Sequence, residues 1–251
     1  MLKPNGNHLK CVVTITQNKR IAFPFIFGKY CLPKMRDLFG GKIELYHVLH
    51  DLHFQSHELE SNRMGIEHLE SVKDFIRKGM FPEATIISHR ELHSEHLAVP
   101  SYIKAAEIAI ERNADFHLWI EDDALVLDRE CHNWNSQLKD ADVGLYRDNG
   151  HHQMINTAFF LSSRGFDERM LDIFKHYKAD GKDYFATSMG SQTEHFFWRA
   201  SKKQVVLNNT YAERHHPPNG KTIPELKKWL RLIIPEIQEE HLSYLHLDFG
   251  E

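Results

Sequence analysis

Apolar residues in the first half of the chain form short runs that alternate with helical patterns. Four of these runs predict strands, over residues 11–16, 42–49, 84–88 and 116–120. Periodic apolar positions predict a helix over 66–78, ending before Gly79, and a second helix opened by Ser101. Strands that alternate with helices, the last strand being nearly all apolar, predict a parallel sheet covered on both faces.

The second half of the chain has a less regular pattern. Short apolar runs predict further strands, over 143–146, 155–161 and 205–209. Helical patterns follow, over 164–178, from Ser191 onward, over 223–232 and over 236–245. Ser162 or Ser163 is expected to cap the helix over 164–178. No internal repeat or change of composition marks a boundary, so we expect a single domain.

The composition is that of an ordinary globular protein, with 41% hydrophobic and 26% charged residues. Lys and Arg together number 31 against 35 Asp and Glu, so binding of nucleic acid through bulk positive charge is not expected. The three cysteines lack a CxxC spacing, which predicts no disulfide framework and favours a reducing, cytoplasmic location. The first ten residues contain no apolar stretch and the chain has no apolar run of about 18 residues, so we expect neither a cleaved secretory signal nor a membrane-spanning helix.

Histidine is unusually frequent, with 19 residues in the chain. Neither an HExxH motif nor a set of Cys and His at zinc-finger spacings is present, so the histidines do not predict a zinc site. We expect most of them to be solvated positions on loops and helices, including His47, His50, His53 and His57.

Three consecutive acids, Glu121, Asp122 and Asp123, directly follow the predicted strand over 116–120. Ligands of open parallel α/β sheets bind outside the carboxyl ends of the strands, so these acids point to a ligand site. In an extended chain Glu121 and Asp123 point to one side and Asp122 to the other. Neighbouring carboxylates are costly unless a cation compensates, and Mg²⁺ or Mn²⁺ often shares carboxylates with phosphate oxygens. The triplet therefore predicts a divalent cation with a diphosphate substrate; a turn of solvated acids is the alternative.

The segment NADFHLWIEDDALVLD, residues 113–128, resembles the signature of GT-A-fold glycosyltransferases. In that family an acidic DxD-type motif ends a central strand and binds the metal and the nucleotide diphosphate, and the EDDA form is similar to that of lipopolysaccharide-type enzymes. The likeness spans about residues 10–216 in element order. It implies a GT-A-like, Rossmann-type α/β fold with a mixed, mainly parallel sheet flanked by helices. The expected parts of this single domain are a nucleotide-binding half, an acceptor half and a C-terminal helical segment, over 10–130, 131–220 and 221–251.

The resemblance also implies roles for residues near the acids. Asp123 would be the direct ligand of Mn²⁺ or Mg²⁺, and Asp122 would support the site. Glu121 would face the ribose or a metal-bound water as the second acid of the metal site. The end of the first strand would line the nucleotide pocket through Thr14, Thr16 and Gln17.

Polar residues of the second half provide candidates for the acceptor side. Inverting GT-A enzymes commonly carry an acid at a helix start beyond the DxD strand, and Thr193-Glu194-His195 resembles that placement, so Glu194 would be the catalytic base. The same acid also completes a capping box with Ser191, which is a purely structural role. INTAFFLSSRGF resembles the strand beside the donor sugar, so Asn156 and Thr157 would bind sugar or acceptor hydroxyls. A buried strand with polar ends is the alternative.

A basic segment follows the last predicted strand. By the GT-A pattern, His215 or His216 would complete the metal coordination, and a rigid exposed turn before two prolines is the alternative. Arg214 would pair with the diphosphate, because its fork of donors matches phosphate geometry.

The predicted helix over 223–232 has an apolar face flanked by cations. This face is formed by Leu226, Trp229, Leu230 and Ile233. Packing of the face on the core is the expected arrangement. A peripheral membrane contact is the alternative, since basic amphipathic helices also bind membrane surfaces.

The combined expectation is a metal-dependent glycosyltransferase, inverting at the transferred sugar. Its partners would be a nucleotide-diphosphate sugar donor and a glycan or glycolipid acceptor, with no nucleic acid. A nucleotidyltransferase is the first alternative, but the sequence lacks a GxxxxGK[ST] phosphate loop. A non-catalytic carbohydrate- or nucleotide-binding protein on the same scaffold is the second.

Overall fold

The computed structural model of the chain describes thirteen stretches of the sequence. They are residues 10–16, 20, 22–38, 42–50, 73–74, 84–89, 98–122, 124–127, 134–138, 140–145, 159–179, 199–207 and 222–249. Predicted elements over 66–72, 75–78, 155–158 and 191–198 lie outside these stretches, while residues 73–74 are helical as predicted.

A seven-stranded sheet forms the centre of the molecule. Its strands are β1 (Cys11–Thr16), β2 (Ile43–His50), β3 (Ala84–His89), β4 (Phe116–Glu121), β5 (Val143–Leu145), β6 (Phe159–Ser163) and β7 (Gln204–Val206). They are arranged in the order β3-β2-β1-β4-β6-β5-β7. Strand β6 is antiparallel to both neighbours, and the other pairs are parallel. The predicted mixed, mainly parallel sheet is therefore confirmed.

Helices cover both faces of this sheet. They are α1 (Ala22–Ile26), α2 (Leu32–Leu38), α3 (Ala98–Glu111), α4 (Trp134–Gln137), α5 (Arg164–Ala179), α6 (Ile223–Ile233), α7 (Glu239–Leu242) and α8 (Leu245–Phe249), with a π-helical turn (Phe27–Cys31) between α1 and α2. No helix in the described stretches is long and apolar enough to cross a membrane.

Side chains of the central strands alternate between two buried layers. Val12, Trp119 and Phe160 face the layer that holds α3 and α5. Val13 and Ile120 face the opposite layer, which holds α1, α2 and the C-terminal helices. All six residues of β1 are buried, as expected for a central strand of a sheet covered on both faces.

Helix α3 begins at Ala98, so the prediction that Ser101 opens it is wrong. Ser101 is fully buried within the helix. The difference comes from Pro100, which looks like a helix breaker in the sequence but is tolerated in a first turn, where the backbone N–H needs no helical partner. Three residues of helix were therefore read as loop.

The other end of α3 is closed by a Schellman motif. Asn113 has a φ of 51°, in the left-handed region that asparagine tolerates better than most residues. The Ala114 N–H donates to the Ala109 carbonyl, and the Asn113 N–H donates to the Ile110 carbonyl, both at 3.0 Å. These bonds satisfy carbonyls at the helix end and fix the entry into β4.

Helix α5 begins where the sequence predicted. The Ser163 hydroxyl accepts a hydrogen bond from the Phe166 N–H at 3.4 Å, so Ser163, one of the two serines proposed for the cap, is the residue at the helix start. Ser162 is buried and bonds elsewhere.

Helices α1 and α2 were not predicted from the sequence. Pro24 and Gly28 interrupt the helical pattern there, and burial of nearly every residue of α1 and the π-helical turn removes the amphipathic signal. The C-terminal helices hold this segment. The Asp248 carboxylate accepts from the Ala22 N–H at 2.9 Å, and the Tyr30 hydroxyl is 2.5 Å from Nδ1 of His241.

Helix α6 packs on the core, as expected for its apolar face. Leu226 and Leu230 are buried in the layer that also contains α1, and Trp229 and Ile233 pack against it. Core packing was the expected arrangement and a membrane contact the alternative, and the buried Leu226 and Leu230 support core packing.

His47 lies inside β2 and is buried, with 2% of its surface exposed. The prediction that it is a solvated position is therefore wrong. Burial lowers the pKa of His47 to about 3, because the charged imidazolium is disfavoured in the interior. His50 ends β2, and His53 and His57 lie outside the described residues.

Candidate functional site

The order of the strands creates a switch point between β1 and β4. The chain passes from β1 outward through β2 to β3, then returns to place β4 on the other side of β1. The two strands are parallel, and their last residues, Thr16 and Glu121, are register partners. Ligands of open α/β sheets bind in the crevice beyond the carboxyl ends of strands at such a point.

The first two predicted acids lie at this switch point. Strand β4 ends at Glu121, and the Ala124 N–H donates to the Glu121 carbonyl at 3.2 Å. This bond closes a turn at the end of the strand, and we name the two described acids there, Glu121 and Asp122, the acid turn. Asp122 therefore lies in a turn and the strand alternation stops at Glu121, while the expected direction of Asp123 concerns a residue outside the described stretches.

Glu121 faces the layer that contains α3. Its side chain is 6% exposed, and its Oε1 accepts a hydrogen bond of 2.6 Å from the Tyr102 hydroxyl. Tyr102 is itself 1% exposed and lies in α3. The carboxylate is therefore held by a neighbouring helix instead of extending freely into solvent.

Asp122 faces the chain that follows β1. Its side chain is 5% exposed, and its Oδ2 accepts from the Arg20 backbone N–H at 3.0 Å. The segment after β1 and the segment after β4 are thus joined by a hydrogen bond to a carboxylate. The alternative of a turn of solvated acids does not apply to these two residues, because both are buried.

Two adjacent buried carboxylates are energetically unfavourable when both are ionised, because they repel each other and have lost most of their hydration. Hydrogen-bond donors such as Tyr102 and the Arg20 N–H offset part of this cost, and a bound cation would offset more. Carboxylate oxygens are the ligands that Mg²⁺ and Mn²⁺ prefer, so the chemistry of these side chains fits either ion. Within the described stretches, no three His, Cys, Asp or Glu side chains are grouped so that they could hold a metal.

The structure describes four of the predicted site residues. Glu121, Asp122 and Thr16 come together at the switch point, and Thr16 is 1% exposed. Thr14 lies two residues before Thr16 on the same face of β1 and is fully buried. Its Oγ1 is 2.8 Å from Nε2 of His117. The others lie outside the described residues and stay predictions: Gln17, Asp123, Asn156, Thr157, Glu194, Arg214, His215 and His216.

A buried polar network below the acid turn was not predicted from the sequence. His117 bonds through Nε2 to Thr14 and through Nδ1 to Asp167, with N–O distances of 2.8 and 3.1 Å. The Ser162 hydroxyl donates to Asp167 at 2.7 Å and accepts from the Trp119 indole N–H at 2.8 Å. The polar His117 in an apolar strand was an available signal, but its partners are distant in sequence.

This core network has the residue types of a nucleophile, a base and an orienting acid. Thr14 and Asp167 are 0% exposed and His117 is 1% exposed, beneath α3 and α5. A substrate would have to enter the packed interior to reach the threonine hydroxyl. The network therefore joins β1, β4, β6 and α5 and is a structural element.

Fold and site together define an α/β protein with a candidate anionic-ligand site at the switch point of its sheet. No family model and no curated protein matches the sequence. Among solved structures, an active-site mutant of LgtC is 16% identical with a TM-score of 0.48, covering 83% of this chain and 81% of that one. S. aureus TarS is 11% identical with a TM-score of 0.46, covering 96% and 73%.

A glycosyltransferase involved in glycosylation of the major capsid of PBCV-1 is a third similar structure. It is 12% identical with a TM-score of 0.43, and the match covers 93% of this chain and 99% of that chain. Identities and TM-scores this low carry no conclusion about activity, which has to be argued from the residues of the site.

Proposed function

We propose that this protein is a glycosyltransferase that moves a sugar from a nucleotide-diphosphate sugar to a hydroxyl of a glycan or glycolipid. The observation that carries the proposal is the position of two buried carboxylates, Glu121 and Asp122, at the switch point between β1 and β4. Ligands of α/β sheets bind at this edge. A diphosphate bridged by a divalent cation is the ligand chemistry that neighbouring carboxylates there would favour.

The acids of this turn are suited to Mn²⁺ or Mg²⁺. Asp123 would be the direct ligand, Glu121 would lie beside it, and His215 or His216 would complete the coordination. When bound, such a cation neutralises negative charge that develops on the leaving diphosphate.

Residues after β1 and β4 would form the donor pocket together. Asp122 accepts a hydrogen bond from the Arg20 N–H, and Thr16 is the register partner of Glu121, so Thr16 and Arg20 both lie close to the acid turn. Gln17, which follows Thr16 in the sequence, would contact the nucleotide. Arg214 would donate its fork of hydrogen bonds to the diphosphate. The Thr14 hydroxyl is hydrogen-bonded to His117, so Thr14 would support the base of this pocket from inside the core without contacting the nucleotide.

Transfer with inversion requires a base on the acceptor side. Glu194 would remove the proton of the acceptor hydroxyl as that oxygen attacks the anomeric carbon. Asn156 and Thr157 would bind hydroxyls of the sugar or the acceptor. The cap and base roles of Glu194 are compatible, because a bond to the helix start would orient its carboxylate.

The test is titration calorimetry with UDP, GDP and CDP, with and without Mn²⁺, followed by a donor-hydrolysis assay. Asp123→Asn is expected to lower turnover by about a hundredfold or more, because it removes one ligand charge at the reacting diphosphate. Asp140→Asn is the matched control, since Asp140 is exposed and outside the site. Undiminished turnover in Asp123→Asn would refute the assigned role.

The same measurements separate the alternatives. Metal-dependent nucleotide binding without turnover of any sugar donor would favour a non-catalytic binding protein. Turnover of nucleoside triphosphates in place of diphosphate sugars would favour nucleotidyl transfer. Binding of no nucleotide at all would remove the basis of the proposal.

A further inference from the structure

The hydroxyl of Tyr102, on α3, contacts the acid turn. It donates to Oε1 of Glu121 at 2.6 Å, which is short and typical of a bond to an ionised acceptor. Both partners are buried, at 1% and 6% exposed. The bond therefore forms where water competes little for either group.

The tyrosine is placed by packing that is independent of the acid. Its ring lies 5.7 Å from the Trp119 ring, and Trp119 stacks on Phe160 of β6 at 4.9 Å. The Trp119 indole N–H also donates to the Ser162 hydroxyl, so stacking and a hydrogen bond together fix the indole ring on which Tyr102 packs. The phenolic oxygen is thus a fixed point beside the last residue of β4.

The Glu121 side chain would need a fixed hydrogen-bond donor to hold its carboxylate in one orientation. This side chain has several rotatable bonds, and ordering it costs conformational entropy when a ligand binds. A hydrogen bond formed beforehand removes part of that cost and sets the direction of the carboxylate.

From this geometry we propose that Tyr102 is a positioning residue for the donor site, acting through Glu121. The inference rests on the proposed function and deepens it. Tyr102 touches neither the cation nor the nucleotide; it holds Glu121 in the orientation that the cation and the diphosphate require.

The chain offers a matched control at the opposite end of the sheet. The Tyr46 hydroxyl donates to Oε2 of Glu44 at 2.8 Å, and Tyr46 lies in the same buried layer as Tyr102. Glu44 is near the start of β2, away from the acid turn. Tyr46→Phe and Tyr102→Phe therefore remove the same chemical bond at two ends of one layer.

The experiment measures binding of Mn²⁺ alone by electron paramagnetic resonance and of UDP, GDP and CDP with Mn²⁺ by calorimetry. Tyr102→Phe is expected to weaken metal-dependent binding by about tenfold to a hundredfold, the usual cost of losing an outer partner of a metal-site residue. Tyr46→Phe is expected to stay within about twofold of wild type. Circular dichroism of all variants checks that the fold is retained, since phenylalanine keeps the buried ring.

A double-mutant cycle distinguishes positioning from general support of the fold. If Tyr102 acts through Glu121, Tyr102→Phe has no further effect, within about twofold, in a Glu121→Ala background, because alanine has no acceptor for the Tyr102 hydroxyl to position. The same loss in both backgrounds, or no loss in Tyr102→Phe alone, would overturn the inference and leave the proposed function intact. Absence of any Mn²⁺-dependent nucleotide binding by the wild-type protein would overturn both.

Discussion

The core network and the acid turn are two polar groups on the same face of β4. His117 and Glu121 are separated by four residues, and both are buried, at 1% and 6% exposed. The network around His117 connects side chains of four elements that are all inside the molecule. The acid turn lies at the end of the strand and is bonded to Tyr102 of α3 and to the backbone N–H of Arg20.

The comparison shows that position in the sheet separates a structural polar group from a candidate site. Thr14, His117 and Asp167 have the composition of a catalytic triad, yet helices cover them. Glu121 and Asp122 are an ordinary pair of acids in composition, yet they lie at the strand ends of the switch point, where ligands of open α/β sheets bind. The network should therefore govern stability and the acid turn should govern binding.

The largest effect is expected for Asp167→Ala in the network. This change removes the carboxylate to which both His117 and Ser162 are hydrogen-bonded. The two buried side chains then each lose a hydrogen-bond partner. We expect a loss of about 3–5 kcal/mol in the free energy of unfolding, and a fall of roughly 10 °C in Tm. Urea and thermal unfolding followed by circular dichroism measure both.

The neighbouring residue on α5 provides the control for this variant. Glu168 is exposed and pairs with Arg164 one turn earlier on the same helix. Glu168→Ala should cost at most about 0.5 kcal/mol, because surface ion pairs contribute little. Equal losses in the two variants would show that the network contributes no more than an ordinary surface pair.

A smaller effect is expected from pH at His47, on the opposite face of the sheet. Burial lowers the pKa of His47 to about 3, whereas an unfolded histidine titrates near 6.5. Between these values the unfolded state binds one proton more, so stability falls as pH decreases. The loss from about pH 7 to pH 5 should be about 2 kcal/mol.

His47→Leu is the variant that isolates this dependence. Leucine matches Leu45 and Leu49 on the same face of β2 and cannot titrate. The comparison has to be made between the two proteins, because burial also lowers the pKa of His241 and adds loss in the upper part of the same range. The same slope of stability against pH in both proteins would contradict the prediction.

Much of the fold could be predicted because the local pattern determines it. The strands 11–16 and 116–121 are short apolar runs whose burial on both faces leaves a continuous signal. The α1–α2 segment could not be predicted, since Pro24 and Gly28 lower its helical propensity and tertiary packing overrides them. Asp248, which bonds the first N–H of α1, is 226 residues away in sequence.

The position of the site in the sheet could be predicted from the sequence, but most of the hydrogen bonds made by its residues could not. The place of Glu121 and Asp122 follows from acids directly after an apolar strand in an alternating α/β pattern. The turn that begins after Glu121 was not predicted, because the strand alternation was extended past the strand end. The partners Tyr102 and Arg20 depend on how α3 and the segment after β1 pack, which spacing along the chain does not specify.

The smallest effect on stability is expected for Glu121→Gln in the acid turn. Its effect on the free energy of unfolding can be compared directly with that of Asp167→Ala in the core network. The amide oxygen of glutamine can still accept from Tyr102, and the change removes a buried charge beside Asp122. Relief of repulsion and desolvation offsets any weakened bond, so the free energy of unfolding should change by less than about 1 kcal/mol, toward higher stability. Urea unfolding measured together with Asp167→Ala gives the contrast. A loss as large as that of Asp167→Ala would place Glu121 among the residues that hold the core, because a ligand-binding acid in an unliganded protein should cost stability and not provide it.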